Sequence, residues 1–189
     1  MTHILLRNDK IGNTSNISLP PVISCKNSDN CRDDCYAVKF YKMYPSVKMA
    51  WDENYDEACN RREVYFRSVR KHLLWYQPRY FRWHVSGDIL DQDYLERMKG
   101  IAADYGCMKF LVFTKRFDLE FKDIPGNLQV VFSAWKGMEP PSIGIPVAYV
   151  RFDPEEEFKN SLECINDCEA CRVCWRIGEI GKNVVLHKH

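Results

Sequence analysis

The sequence predicts an α/β fold: a partial or trimmed (β/α) barrel of mostly parallel strands, with cysteine-rich loops. Three observations lead there. Helical and strand-like patterns alternate along the chain, as they do in βα units around a parallel sheet. Two strand-like runs, residues 109–113 and 128–132, are almost continuously apolar, as strands buried on both faces are. The chain has 189 residues, fewer than the roughly 250 of a full eight-stranded barrel. A single domain over residues 1–189 is therefore expected, with about five or six parallel strands.

The elements follow in order. A first strand is expected at about residues 17–24, which places Cys25 at its C-terminal end. Tyr55, Cys59, Val64, Tyr65, Val69 and Leu73 make one apolar face of a helix over about residues 52–74, closed by Gln77-Pro78. Residues 81–85 read as a strand running into Ser86-Gly87-Asp88, after which Asp91 caps a helix that continues to about Tyr105. The two apolar strands come next, ending at Thr114-Lys115-Arg116 and at Ser133-Ala134-Trp135. Residues 146–150 and 183–186 are two further strands. Asp153, Glu155, Glu156 and Glu157 between them look like a helix N-terminus, where acidic side chains favour the dipole.

With 46% hydrophobic and 13% aromatic residues the chain can build a sizeable core, and 27 Lys+Arg against 26 Asp+Glu leave a formal charge of +1. This balance argues against a disordered chain and against a globally basic nucleic-acid binder. The N-terminus meets Arg7, Asp9 and Lys10 before any apolar stretch long enough for a signal peptide. No apolar run approaches the roughly 20 residues of a membrane span. A reducing cytoplasm is the expected compartment, with no membrane as a partner.

Nine cysteines are many for such a protein. In a reducing compartment, clustered thiols point to metal binding or redox chemistry rather than disulfides. Cys59 and Cys107 stand apart and are expected to be plain core. The other seven form a loop over residues 24–37, with Cys25, Cys31 and Cys35, and an insertion over residues 164–175, with Cys164, Cys168, Cys171 and Cys174. The insertion reads C-x3-C-x2-C-x2-C. Four such thiolates suit a tetrahedral zinc ion or an iron–sulfur cubane, and the unbroken run favours the cubane over the split pairs of zinc ribbons. The first loop supplies three thiolates, which leave one iron of a cubane open. A fourth donor there is either a distal cysteine or a histidine, so the seven serve one site or two. His187 and His189 are placed to ligate metal only as terminal residues.

In parallel α/β folds ligands sit at the C-terminal ends of strands. Ser86, Gly87, Asp88, Lys115, Arg116 and Ser133 fall at such ends and are the candidate cofactor-binding residues; the alternative is ordinary polar loop chemistry. His84 and Asp88 are not read as an acid–base pair. Phosphate-binding glycine loops, HExxH and GxSxG are absent, so no catalytic residue is assigned. A basic, aromatic segment over residues 61–82, with Arg61, Arg62, Arg67, Arg70, Lys71, Arg79 and Arg82, is a candidate nucleic-acid surface. The competing reading is a solvated helix whose aromatics enter the core.

Ser24-Cys25 through Cys35-Tyr36-Ala37, Trp83-His84-Val85-Ser86-Gly87-Asp88 and Phe113-Thr114-Lys115-Arg116 together resemble the phage and prophage gene-product-88-like family, and more remotely radical-SAM-like phage proteins. Cys171-x2-Cys174-Trp175 is similar as well, so the resemblance runs over about residues 14–187. It implies a small radical-SAM-like barrel of viral origin holding one or two iron–sulfur clusters, [4Fe-4S] in type, with S-adenosylmethionine as a candidate ligand. The radical-SAM motif is C-x3-C-x2-C; the first cluster here is C-x5-C-x3-C, and Cys164, Cys168 and Cys171 carry the family spacing. Ser86-Gly87-Asp88 looks like a reduced form of the glycine-rich strand end that holds the methionine amine.

The expected function is thus a viral iron–sulfur protein with a redox or radical role on a small molecule or an electron-transfer partner. Two alternatives stand beside it: a zinc-stabilised protein- or nucleic-acid-binding module without catalysis, and a simple electron-transfer protein.

Overall fold

The computed structural model describes residues 2–187. The elements are β1 (Ile4–Leu5), β2 (Ser15–Ile17), α1 (Tyr36–Met43), α2 (Pro45–Asn60), α3 (Arg62–Tyr76), β3 (Tyr80–Trp83), α4 (Gln92–Asp104), β4 (Lys109–Thr114), β5 (Leu128–Ala134), β6 (Val147–Arg151), β7 (Ser161–Glu163), α5 (Cys168–Cys171), a 3-10 turn (Val173–Arg176), α6 (Ile177–Ile180) and β8 (Asn183–His187). Among the described residues the eight strands make one sheet, ordered β1-β2-β3-β4-β5-β6-β8-β7. β1 runs antiparallel to β2, and every other neighbouring pair is parallel. From β2 to β6 each strand lies beside its successor in the chain, as in a (β/α) barrel. β1 and β7 stand at opposite edges, so the sheet is open.

Alternation along the strands sends side chains to two different layers. Phe81, Trp83, Phe110, Val112 and Val130 pack with Tyr65, Val69 and Leu73 of α3 and Tyr94, Leu95 and Met98 of α4, all fully or almost fully buried. The Tyr94 hydroxyl donates to Tyr65 at 2.7 Å, which satisfies both polar tips inside this layer. Leu111, Val131, Ala148 and Val184 point the other way and meet Trp175 and Ile177. The cysteine-rich insertion therefore covers the face that would be the interior of a closed barrel.

Several expectations need correcting. The strand expected at residues 17–24 is β2, Ser15–Ile17, because Pro20 and Pro21 lack the N–H groups a ladder needs and lead the chain out of the sheet, and β1 precedes it. The helix expected at residues 52–74 is two helices, starting at Pro45 and broken at Arg61, whose φ of −137° and ψ of 47° leave the helical region. The links 115–127 and 135–146 contain no helix, so βα alternation is incomplete. In the first of them Phe117 and Phe121 pack edge-to-face on Phe132, with ring centroids 5.0 and 5.3 Å away, and cover β5 as a helix would. Residues 153–157 form no helix; the Asp153 side chain accepts from Glu155 N in a local turn. Cys59 and Cys107 are exposed, not core: one sits on the outer side of α2 and the other in the turn after α4.

The basic segment is divided among different tasks. Arg62 pairs with Asp91 and Asp93, Arg70 with Asp104, and Arg61 with Glu57. Tyr65 and Phe66 are core, and Trp75 and Tyr76 are exposed. No helix among the described residues is long and apolar enough to cross a membrane.

Candidate functional site

The first cysteine loop is fixed from below and from the side. Pro20 O accepts from Ser24 Oγ at 2.6 Å, and Val22, at φ 69°, turns the chain so that its carbonyl accepts from Cys25 N at 3.1 Å. A β-branched residue in this region is strained. A Cβ at Gly87 would lie 2.6 Å from both Leu19 Cβ and Ser24 Oγ, so glycine lets the segment after β3 touch the loop. Asn27 Nδ2 donates to Lys115 O at 2.7 Å and Asn30 Nδ2 to Lys136 O at 2.9 Å, which ties the loop to the ends of β4 and β5. Cys31 is buried, with its Sγ 3.4 Å from Ser28 O, and Cys35 is the residue before α1.

The second set hangs from β8, toward the other edge of the sheet. Cys164 N donates to Val185 O at 2.9 Å, and Asp167 caps α5 by accepting from Ala170 N at 2.9 Å. Glu169 accepts from Asn13 Nδ2 at 2.7 Å, and Arg172 donates to the Thr14 hydroxyl, so the insertion reaches across to the turn before β2. Trp175 anchors it, 3% exposed, with Nε1 3.4 Å from Phe81 O and its ring against Tyr80.

Between these walls lies a cavity of about 360 Å³ lined by Cys25, Cys31 and Cys35 on one side and Cys164, Cys168 and Cys174 on the other. Six of the seven clustered cysteines thus face one space; Cys171 does not line it. All nine thiols are free. Among the described residues no three His, Cys, Asp or Glu side chains converge closely enough to hold a metal ion. The donor set is nonetheless of the right kind and number: two groups of soft sulfur ligands on short loops suit zinc or iron–sulfur centres, and closing either group on an ion requires its loop to draw inward.

Burial dominates the electrostatics. It pushes the Cys25 thiol up to about 11 and the Cys174 thiol up to about 12, with Asp88 adding to the first and the neighbouring thiols of the insertion to the second. Burial opposes the charge of Lys115, but Cys31, Asp88 and Cys25 around it more than offset this and raise its pKa. Arg82 is lowered by burial, against the pull of Tyr36, Cys168 and Cys174. His84 falls to about 3, through burial first and Arg82 second, so its imidazole is neutral.

Of the strand-end residues expected to bind a cofactor, Ser86, Gly87, Lys115 and Ser133 line the cavity. Asp88 and Arg116 are not among its lining residues and work as loop ties. Asp88 accepts from Thr114 Oγ1 at 2.6 Å, Ile89 N at 2.7 Å and Lys115 N at 2.8 Å. Arg116 forks onto Asp118 at 2.8 and 2.9 Å and donates to Ile89 O at 2.7 Å. Sequence reasoning missed Lys10, Tyr36, Arg82 and His84, which also line the space. For Arg82 the available signal was its place in β3 on the face opposite Phe81 and Trp83.

Lys10 stands over the Tyr36 ring, 3.3 Å from its centroid, and the Tyr36 hydroxyl donates to Val85 O. His187 lies at the rim, 3.3 Å from Glu163, and His189 falls outside the described residues.

No curated protein and no solved structure matches the chain. A family model for gene product 88 matches residues 4–150. The matched span holds the first cysteine loop, the Ser86-Gly87-Asp88 and Thr114-Lys115-Arg116 strand ends and β1 to β6 almost entire, and leaves out the second cysteine set. The chain belongs to the gene product 88 family.

Proposed function

We propose that the protein is a thiolate metal protein of the iron–sulfur kind, with a redox or radical role on a ligand in the cavity between its two cysteine sets. The observation that carries this reading is the meeting of Cys25, Cys31 and Cys35 with Cys164, Cys168 and Cys174 around one space, although more than a hundred residues of chain separate the two sets. Free, partly buried thiols gathered from distant parts of the chain are the donor arrangement that thiolate metal centres use. Cys25, Cys31 and Cys35 would hold one centre and Cys164, Cys168, Cys171 and Cys174 the other. Each set has its own buried cation: Cys31, Cys25 and Cys35 all act on Lys115, and Cys168 and Cys174 on Arg82. A cluster with three protein thiolates supplies an open iron and an electron to whatever binds beside it.

The two sets favour different metals. Four donors close a site, so the second set also suits a structural zinc, whereas three donors leave the first open. S-adenosylmethionine remains the candidate ligand for that open position, with Ser86 and Gly87 beside it. The test is anaerobic purification with iron, sulfide and zinc analysis and a visible spectrum. Iron with equimolar sulfide is expected, lost when Cys25, Cys31 and Cys35 are replaced by Ser together. A colourless protein with zinc alone would overturn the iron–sulfur reading, and a metal-free one the whole proposal.

A further inference from the structure

We infer that the solvent-facing side of α3 and the turn after it form a docking surface for single-stranded nucleic acid, with Arg67, Lys71 and Arg79 on the phosphates and Trp75 and Tyr76 stacked on bases. The charge of the chain is nearly balanced, but it is not evenly spread. From Val64 to Gly87 there is no Asp or Glu, and Arg67, Arg70, Lys71, Arg79 and Arg82 all fall in that stretch. Arg70 pairs with Asp104, and Arg82 lines the cysteine cavity. Arg67, Lys71 and Arg79 are exposed, and among the described residues none of them pairs with a carboxylate. The positive potential of the segment is therefore left to solvent at these three positions.

The rings stand apart from the core. Tyr65, Phe66, Val69, His72 and Leu73 make the buried face of α3, whereas Leu74, Trp75 and Tyr76 are 63%, 74% and 58% exposed. Successive helical residues are about 100° apart, so three consecutive exposed side chains mean that the last turn is clear of the body over more than half of its circumference. Arg67, Lys71 and Trp75 follow one another at i, i+4 and i+8, a row about 12 Å long. That is room for a few phosphates at the roughly 3.4 Å spacing of one strand. Gln77, left-handed at φ 42°, and Pro78 then stop the helix and set Arg79 three residues after Tyr76. The Tyr76 ring lies 4.7 Å from that of His72, whose Nε2 is 3.1 Å from Ser15 Oγ, so it is steadied as a platform. Free cations beside exposed rings suit a polyanion whose bases are unstacked. A duplex would use the cations and leave the rings in water, and a second copy of the chain would bring like charge against like.

The surface lies on the layer of α3 and α4, away from the cysteines, so it is independent of any metal they hold. The test is fluorescence anisotropy of the full chain with a short labelled oligothymidylate and with a labelled DNA duplex of the same length. Saturable binding of the single strand is expected, tighter than that of the duplex. Its affinity should fall with salt at a logarithmic slope of about −2, as three phosphate contacts on a single strand give. Trp75→Ala should weaken binding about fivefold or more, the loss of one stacked base, with the slope unchanged. Lys71→Gln should reduce the slope by about 0.7. Lys122→Gln, which neutralises a surface lysine paired with Glu120, should leave affinity and slope as they are. Trp75 and Lys71 are exposed, so both variants should keep the parent's circular dichroism. No saturable binding, tighter binding of the duplex, or parent-like binding in both Trp75→Ala and Lys71→Gln overturns the inference. So does light scattering that finds a dimer which Trp75→Ala dissociates and the oligonucleotide does not.

Discussion

Gly87 shows how one residue can decide whether the two halves of the site meet. Its φ of +89° is one that L side chains rarely adopt, and a Cβ there would come within 2.6 Å of Leu19 and Ser24, so the position admits no side chain. Gly87→Ala should destabilise the fold by roughly 1–3 kcal/mol, the usual cost of a strained backbone or an overpacked contact, measured as a lower urea midpoint with unchanged slope. An unaltered midpoint would mean that the loop yields without cost. His84 makes a separate prediction about pH. Above its unfolded value near 6.5 both states are neutral and the group has no effect; between 6.5 and about 3 only the unfolded chain takes up the proton. Stability therefore falls as pH falls through that window, by at most about 1.4 kcal/mol per pH unit from this one group. His72, also lowered by burial, adds a slope of the same sign. His84→Phe should flatten the dependence between pH 7 and 5, and equal slopes in variant and parent would refute the assignment.

The elements that could be read from the sequence are those whose signal is local. β4 and β5 begin where their apolar runs begin, and Asp91 caps α4 through Tyr94 N as its position suggests. β2 gives no such signal, being three residues with two polar side chains, and Pro20-Pro21 hides its end. The sequence gives His84 no site role, because its position depends on a left-handed residue at a strand end, a conformation that composition does not reveal. The placement of the insertion was equally hidden: Asn13 and Glu169 meet across 156 residues of sequence. Trp175 is the residue that seats it, packed with Leu111, Val131, Ala148 and Val184 on the inner face. Trp175→Ala should cost about 3–5 kcal/mol, as large-to-small changes at buried aromatics do. Because it adjoins Cys174, thiol-reagent labelling of Cys174 should also accelerate in the folded protein. Accelerated labelling without lost stability would place the insertion outside the cooperative unit.

The whole molecule separates a core that depends on packing from a cavity that depends on what it binds. The larger hydrophobic layer lies between the sheet and α3 and α4, on the face away from the cysteines. The cavity face has a smaller apolar cluster, and its walls are joined to the sheet by a few hydrogen bonds, such as Asn27 to Lys115 O and Asn13 to Glu169. Local stability follows the density of buried contacts, so removal of the proposed metal should loosen the walls before the core. Metal binding contributes free energy only to the segments that hold the ion. Chelation of the anaerobic protein should therefore open residues 24–37 and the insertion around residues 164–175 to limited proteolysis, while a fragment spanning β3 to β5 survives. Hydrogen exchange should give the same ranking, with fast exchange at Cys31 N and Cys171 N and slow exchange in β4. If chelation instead unfolds the whole chain in one step, the metal is integral to the core and the division of labour proposed for the two faces fails.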